Sequence, residues 1–211
     1  MKVVAINGSP HAEGNTYHCL KVVGEALQKQ DISTEILHIG TKAISGCLGC
    51  GSCYANKNAK CVLNEDSLNE LIPKIREADG LLLGSPVHFA GISGAMKSFL
   101  DRLFYVSGAN GNFFYHKVGA AVVVVRRSGG VAAVDSLKHY LEYAEMLMPT
   151  SNYWNVVHGA IPGEAAKDAE GEQILSILGE NMGWLMRLKE AGKDIQPPAI
   201  RKKVKMSFIR D

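Results

Sequence analysis

The sequence has little that would direct it to nucleic acid, to a membrane or to secretion. Its formal net charge is only +2 over 211 residues, a balance that predicts no nucleic-acid partner. No apolar run approaches the roughly 18 residues that a membrane helix requires. The apolar stretch at residues 3–6 is also shorter than the apolar core of a secretion signal. We therefore expect a cytoplasmic protein with no membrane partner.

Several common catalytic and nucleotide-binding motifs are also missing. The dinucleotide fingerprint G-x-G-x-x-G is absent, and Asn15 stands where a nucleoside-triphosphate loop would have its lysine. The 7 histidines are scattered and form no recognisable metal pair. No catalytic triad or pair of carboxylates can be recognised either, so the sequence assigns no catalytic side chain.

What the chain does contain is a regular alternation of short apolar strands and longer helices. Strands are predicted at residues 3–6, 34–39, 80–84, 118–125 and 154–157. Helices are predicted between and after them, at residues 16–30, 68–78, 93–106, 131–148 and 170–189, where apolar residues recur with a helical period.

This alternation predicts an α/β fold in which a parallel sheet is covered by helices on both faces. Five strands favour a doubly wound, three-layer αβα architecture of the flavodoxin-like type, with strand order 2-1-3-4-5. We expect one domain at residues 1–195 with a cysteine-rich loop insertion at 45–62, followed by a basic C-terminal tail at 196–211. Ligands of such sheets bind beyond the carboxyl ends of the strands.

The loop after the first strand has the composition of an anion site. Ser9, His11, Asn15 and Thr16 lie in a short polar segment that leads into a helix. Backbone N–H groups and the helix dipole favour an anion there, and a single terminal phosphate fits better than a triphosphate because no lysine is present. The alternative is an ordinary strand-to-helix turn with a Ser or Asn cap.

Two further loops after strands offer surfaces for a planar ligand. Pro86, Val87, His88 and Phe89 follow the third strand and suit a flat heteroaromatic ring. The alternative is that Phe89 covers the core and His88 lies at the surface. The loop after the fourth strand begins with two arginines, and the alternatives for them are to bind an anion or to lie in solvent. Ser128, Gly129 and Gly130 follow, and the glycines let the backbone approach a ligand closely.

Taken together, the segments GSPHAEGNT, SPVHFAGISGAMKSFLDR and RRSGG resemble the flavodoxin-fold NADPH-dependent FMN reductase superfamily over residues 1–130. The resemblance implies that Ser9, His11, Asn15 and Thr16 hold the FMN phosphate. It implies that the flavin ring lies against Pro86, Val87, His88 and Phe89, with Ser128, Gly129 and Gly130 at its other edge. Relatives often have Arg or Lys in place of His11 and Tyr in place of His88, so we expect FMN binding to depend on pH. The resemblance also implies that the protein forms a homodimer or homotetramer.

Four of the five cysteines form the second informative feature, Cys47-x2-Cys50-x2-Cys53-x7-Cys61. Thiolates at this spacing can converge on a 4Fe–4S cluster or on a structural zinc ion, and reversible disulfides are the third alternative. The pattern resembles the compact motif of iron–sulfur flavoproteins, although its last gap is longer. Cys19 lies apart on the first predicted helix and is expected in the core.

The combined prediction is an FMN-dependent oxidoreductase that takes hydride from NAD(P)H. Its electrons would pass to an unidentified small-molecule or protein acceptor, with the 4Fe–4S cluster as an intermediate carrier if one is present. The alternative is an electron-transfer flavoprotein that ferredoxin reduces, without NAD(P)H activity. A flavin-free binding module on the same fold is the third hypothesis.

Overall fold

A parallel β-sheet forms the centre of the computed structural model, which describes residues 1–201, 203, 204, 206 and 208. The strands are β1 (Lys2–Asn7), β2 (Ser33–His38), β3 (Gly80–His88), β4 (Gly91–Ile92), β5 (Val118–Val125) and β6 (Val156–His158). They run in the order β2-β1-β3-β5-β6, and the two-residue strand β4 pairs antiparallel with the end of β3.

Helices cover both faces of the sheet. They are α1 (Asn15–Gln28), α2 (Ser52–Asn56), α3 (Leu68–Glu77), α4 (Gly94–Ala109), α5 (Gly130–Tyr143) and α6 (Ala169–Ala191), with a short 3₁₀ turn at Ala165–Lys167. Residues of α1 and α6 share one apolar core with the sheet. Residues of α3, α4 and α5 share a second core on the opposite face. The three-layer αβα prediction is therefore confirmed.

The two cores follow from the alternation of side chains along each strand. In β1, Val4 and Ile6 belong to the core beneath α3, α4 and α5, whereas Val3 and Ala5 belong to the core beneath α1 and α6. Every residue of β5 is buried, as expected for an apolar strand with helices on both faces. Leaving aside β4, the strand order is the predicted 2-1-3-4-5.

Several predicted elements have different bounds in the structure, among them β3, which continues to His88, and two of the differences have a clear local cause. The helix predicted at 131–148 ends at Tyr143, because the chain reverses at Glu145, whose φ is 55°, and Leu147 then pairs with β5. The strand predicted at 154–157 is Val156–His158. The N–H of Val156 bonds to the carbonyl of Trp154 at 2.7 Å, which makes a tight turn of the residues expected to begin the strand.

Three further predictions concern Cys19, the C-terminal tail and the absence of a membrane helix. Cys19 is fully buried in the core, as expected. Residues 196–201 are exposed, and the Tyr115 hydroxyl donates to the carbonyl of Pro198 at 2.8 Å. Lys202 and Lys205 of the predicted basic tail lie outside the described residues. Within the described ranges, no helix combines the length and apolar character that a membrane crossing requires.

Helices α1 and α6 approach each other closely at Gly179. A Cβ atom on Gly179 would lie 2.6 Å from the Cβ of Ala26 and 2.7 Å from the carbonyl oxygen of Val23, too close for either helix to accept without moving. Gly179→Ala is therefore expected to destabilise the protein by about 1–3 kcal/mol, measured as the free energy of unfolding in urea.

Gly183 on the same helix is the matched control. The atoms nearest to a Cβ there are at the end of the Gln30 side chain, with Nε2 at 2.4 Å. That end can rotate away, giving up an exposed hydrogen bond to the carbonyl of Glu180. Because alanine favours helix by about 1 kcal/mol over glycine, Gly183→Ala should cost little or stabilise. Equal losses in the two variants would refute this account of the helix contact.

Glu35 connects three elements through ion pairs. Its carboxylate meets Lys2 of β1 at 2.5 Å and Lys74 of α3 at 2.7 Å. Hydrogen bonds from Lys2 and Lys74 lower the pKa of Glu35 below its ordinary value of 4.5. A lowered folded-state pKa stabilises above the unfolded-state pKa, and that stability is lost as the pH falls through the folded-state value.

Glu35→Gln should therefore cost about 0.5–1 kcal/mol at pH 7, an amount typical of partly exposed pairs. The difference from wild type should shrink as the pH falls below about 4.5. Urea unfolding at several pH values measures both trends, and a loss that stays constant down to pH 2 would contradict the ion-pair explanation.

Candidate functional site

The loop after β1 is folded by its own side chains. Asn7 is fully buried; its amide donates to the carbonyl of Ala12 at 3.0 Å and its side-chain oxygen accepts from the N–H of Ser9 at 3.1 Å. The Ser9 hydroxyl in turn accepts from the N–H of His11 at 3.1 Å. Side-chain bonds of this kind replace the backbone pairing that the loop lacks, so its shape is set before any ligand arrives.

Helix α1 begins at this loop with unpaired donors. Its N-cap is Gly14, which has no side chain to cap it, and no acidic residue lies in the first turn. Within the described residues, the N–H groups of Asn15, Thr16 and Tyr17 have no acceptor. The Thr16 hydroxyl, on a side chain that is only 2% exposed, is also without a partner there. This arrangement favours a bound anion.

The loop after β3 is joined to the loop after β1. The hydroxyl of Ser93, the N-cap of α4, donates to the carbonyl of Gly8 at 2.6 Å and accepts from the N–H of Met96. The N–H of Ser93 donates to the Ser85 hydroxyl at 3.0 Å. One serine therefore starts α4 and fixes the distance between the two loops.

A cavity of about 260 Å³ opens between these loops at the carboxyl edge of the sheet. It brings together seven of the sequence-predicted residues with parts of two other loops. The lining residues are Ser9, Pro10, His11, Gly14, Asn15, Thr16, Pro86, Val87, His88, Val124, Arg126, Gly159, Ala160 and Pro162. We call this cavity the phosphate-loop cavity.

Phe89, Ser128, Gly129 and Gly130 do not line the phosphate-loop cavity. Phe89 has a φ of 49° at the tip of the β3–β4 hairpin and its side chain is fully exposed. Ser128, Gly129 and Gly130 line a neighbouring cavity of about 360 Å³. They still lie close by, because a Cβ on Gly129 would be 2.7 Å from the Cα of Ala90.

The neighbouring cavity has an aromatic wall. Tyr153 and Trp154 line it together with the glycine-rich loop, and their rings meet edge to face with centroids 4.4 Å apart. His158 and Asp168 also line it. The sequence prediction placed the glycine-rich loop at the edge of the same ring site, and the structure places it between two adjoining cavities.

The loop after β6 is the part of the site that sequence reasoning missed. It supplies Gly159, Ala160 and Pro162 to the phosphate-loop cavity. Asn15 holds it: the amide donates to the carbonyl of Ile161 at 2.9 Å, and the side-chain oxygen accepts from the N–H of Gly163 at 2.9 Å. One amide hydrogen of Asn15 remains for a ligand. The same rule that led to the other loops, that ligands bind after the strands, would have found this one.

The cysteine-rich loop lies away from both cavities, against α4. Cys47, Cys50, Cys53 and Cys61 are all free thiols and line one pocket with Arg102 and Tyr105. A hydrogen bond with the Ser52 hydroxyl (3.4 Å) lowers the pKa of the Cys50 thiol. Burial raises the pKa of Cys53. In the described part of the chain, no group of three or more His, Cys, Asp or Glu side chains is arranged to hold a metal ion.

Comparisons with known proteins agree with this architecture. An iron–sulfur flavoprotein of Methanocaldococcus jannaschii is 31% identical over 195 residues, which are 89% of this chain and 98% of that protein. An iron–sulfur flavoprotein of Archaeoglobus fulgidus is 29% identical over 198 residues, 93% of this chain and 87% of that protein.

Structural similarity independently supports the fold. The structure of a flavodoxin from the domain Archaea superposes with a TM-score of 0.56 at 16% identity, covering 89% of this chain and 99% of the flavodoxin. Residues 1–160 match the sequence family described as NADPH-dependent FMN reductase. The fold is flavodoxin-like, and the chain belongs to the NADPH-dependent FMN reductase family.

Proposed function

We propose that the protein is an FMN-dependent oxidoreductase that takes electrons from NAD(P)H and passes them to an acceptor through a 4Fe–4S cluster. One observation carries the flavin assignment. The uncapped start of α1, with its free N–H groups and Thr16, lines a cavity that is also lined by Pro86, Val87 and His88. A phosphate group and a planar ring together match these two sets of residues.

The residues of the first set would hold the FMN phosphate. The N–H groups of Asn15 and Thr16 and the hydroxyls of Ser9 and Thr16 are donors that a dianionic phosphate can accept from. Arg126 brings a cationic side chain to the same cavity. Among the residues that the structure describes, no lysine lines it, which agrees with one phosphate rather than three.

The residues of the second set would hold the ring and exclude water from one side of it. Pro86 fixes the backbone, and Val87 and Val124 present apolar surface to the cavity. When bound, FMN accepts hydride from a reduced nicotinamide and gives up electrons singly or in pairs. The chain's own part is to place that ring at the edge of the sheet beside the cavity that Tyr153 and Trp154 line.

The cluster assignment is supported by the placement of the thiols and by the relatives. A zinc ion would draw four sulfurs to within about 3.8 Å of one another, given Zn–S bonds of about 2.3 Å. A 4Fe–4S cluster instead binds each thiolate at a different iron, so it needs four thiols at one pocket but not four sulfurs in mutual contact. Cys47, Cys50, Cys53 and Cys61 line one pocket. Both relatives described above are named iron–sulfur flavoproteins.

Removing a phosphate donor should weaken FMN binding selectively. Ser9→Ala and Thr16→Val each delete a hydroxyl that would donate to a charged acceptor, an interaction worth about 1.5–3 kcal/mol. We expect each variant to bind FMN about tenfold or more weakly, measured by fluorescence quenching of the flavin on addition of apoprotein.

Riboflavin, which lacks the phosphate, provides the internal comparison. Its affinity should change little in either variant. Ser136→Ala is the matched control, since that hydroxyl bonds only to the carbonyl of Ala132 on the exposed side of α5. Equal losses for FMN and riboflavin would place the phosphate elsewhere.

Anaerobic purification tests the proposed cofactors together. We expect flavin absorption bands, about four irons and four acid-labile sulfides per chain, and bleaching of the flavin by NADPH or NADH. Bleaching by reduced ferredoxin but by neither nucleotide would favour the electron-transfer alternative. Flavin without iron would remove the cluster from the proposal, and a protein that takes up no FMN would refute it.

A further inference from the structure

A charged side chain is buried beneath the cysteine-rich loop. Arg102 of α4 has a side chain that is 0% exposed, and its partner Asp66 is 5% exposed. A buried guanidinium is costly unless every N–H finds an acceptor. The acceptors around Arg102 therefore show what this residue is placed to hold.

All of those acceptors come from the cysteine-rich loop and the segment that follows it. The Nε of Arg102 donates to the Sγ of Cys61 at 3.3 Å, and one terminal nitrogen donates to the carbonyl of Leu63 at 2.8 Å. The other terminal nitrogen donates to the carbonyl of Ser45 at 3.3 Å and to the Asp66 carboxylate. Arg102 thus joins both ends of the loop and faces one thiol directly.

Asn69 of α3 fixes the backbone of the same cysteine. Its side-chain oxygen accepts from the N–H of Cys61 at 2.8 Å, and its amide donates to the carbonyl of Cys61 at 2.9 Å. Cys61 is therefore held at its N–H, its carbonyl and its sulfur by side chains of α3 and α4. Cys47 and Cys50, in contrast, are exposed.

We infer that Arg102 is a positioning residue that holds Cys61 in place as a ligand of the cluster and raises the reduction potential of the cluster. The inference rests on the proposed 4Fe–4S cluster. Reduction adds negative charge, so a nearby cation and an N–H···S bond both stabilise the reduced cluster. A side chain with only a structural role would need the same acceptors, but its loss would leave the potential of the cluster unchanged.

The reduction potential of the cluster distinguishes a role of Arg102 in tuning the cluster from a purely structural role. Arg102→Gln removes the cation, and its cluster should titrate at a lower potential than that of wild type, followed by electron paramagnetic resonance. Arg102→Lys keeps the charge and should recover part of the shift. Asp66→Asn breaks the same ion pair but removes a negative charge, so its potential should rise.

Two further proteins complete the comparison. Lys97→Gln removes a cation from the exposed side of the same helix, where Lys97 pairs with Asp101, and it should leave the potential unchanged. If Arg102→Gln does not fold, Arg102→Gln combined with Asp66→Asn leaves no buried charge unpaired and is compared with Asp66→Asn alone. An unchanged potential on loss of Arg102, or shifts of the same sign in Arg102→Gln and Asp66→Asn, would overturn the inference.

The apoprotein tests the contact without any cluster. In a double-mutant cycle of Arg102→Gln and Cys61→Ala, the loss in urea midpoint of the double variant should be smaller than the sum of the single losses. If the wild-type protein binds no iron, the cluster proposal fails while this cycle still decides whether Arg102 holds Cys61. Additive losses would show that it does not.

Discussion

The site depends on the parallel alignment of β1 and β3, which brings two chemically different loops to the same edge of the sheet. The N–H of Gly8 donates to the carbonyl of Gly84 at 2.9 Å, so the pairing continues past the end of β1. The Ser93 hydroxyl then bonds to the carbonyl of Gly8. These contacts keep the free donors of α1 opposite Pro86–His88, and the phosphate-loop cavity exists because the loops cannot separate.

The cysteine-rich loop has a different source of order. Its own regular structure is the five-residue helix α2, which is too short to be stable alone. The loop is fixed by polar side chains on α3 and α4. Asn69 accepts a hydrogen bond from the backbone N–H of Cys61, and Arg102 donates one to its sulfur. The flavodoxin-like core therefore supplies the rigidity for an insertion that could not fold by itself.

The fold was predictable because its cause is local in sequence. The apolar run of β5 and the helical stripe of α1 each fix an element by period alone, and alternation then fixes the sheet. The site was only partly predictable because its cause is not local. Asn15 meets Ile161 across 146 residues, so no pattern within the first loop reveals that its side chain holds the last one. The pattern likewise does not reveal that Phe89 lies at an exposed hairpin tip, because β3 continues to His88 and turns sharply into β4.

Helix α4 links the two proposed cofactor sites. It starts at Ser93, whose hydroxyl fixes the phosphate-loop cavity, and it carries Arg102, whose guanidinium fixes Cys61. At a rise of about 1.5 Å per residue, these two points lie roughly 14 Å apart along one helix. A continuous helix packed in the core has little freedom to change that spacing. The separation between flavin and cluster would therefore be a property of α4 rather than of either loop, even though both loops are irregular and partly exposed.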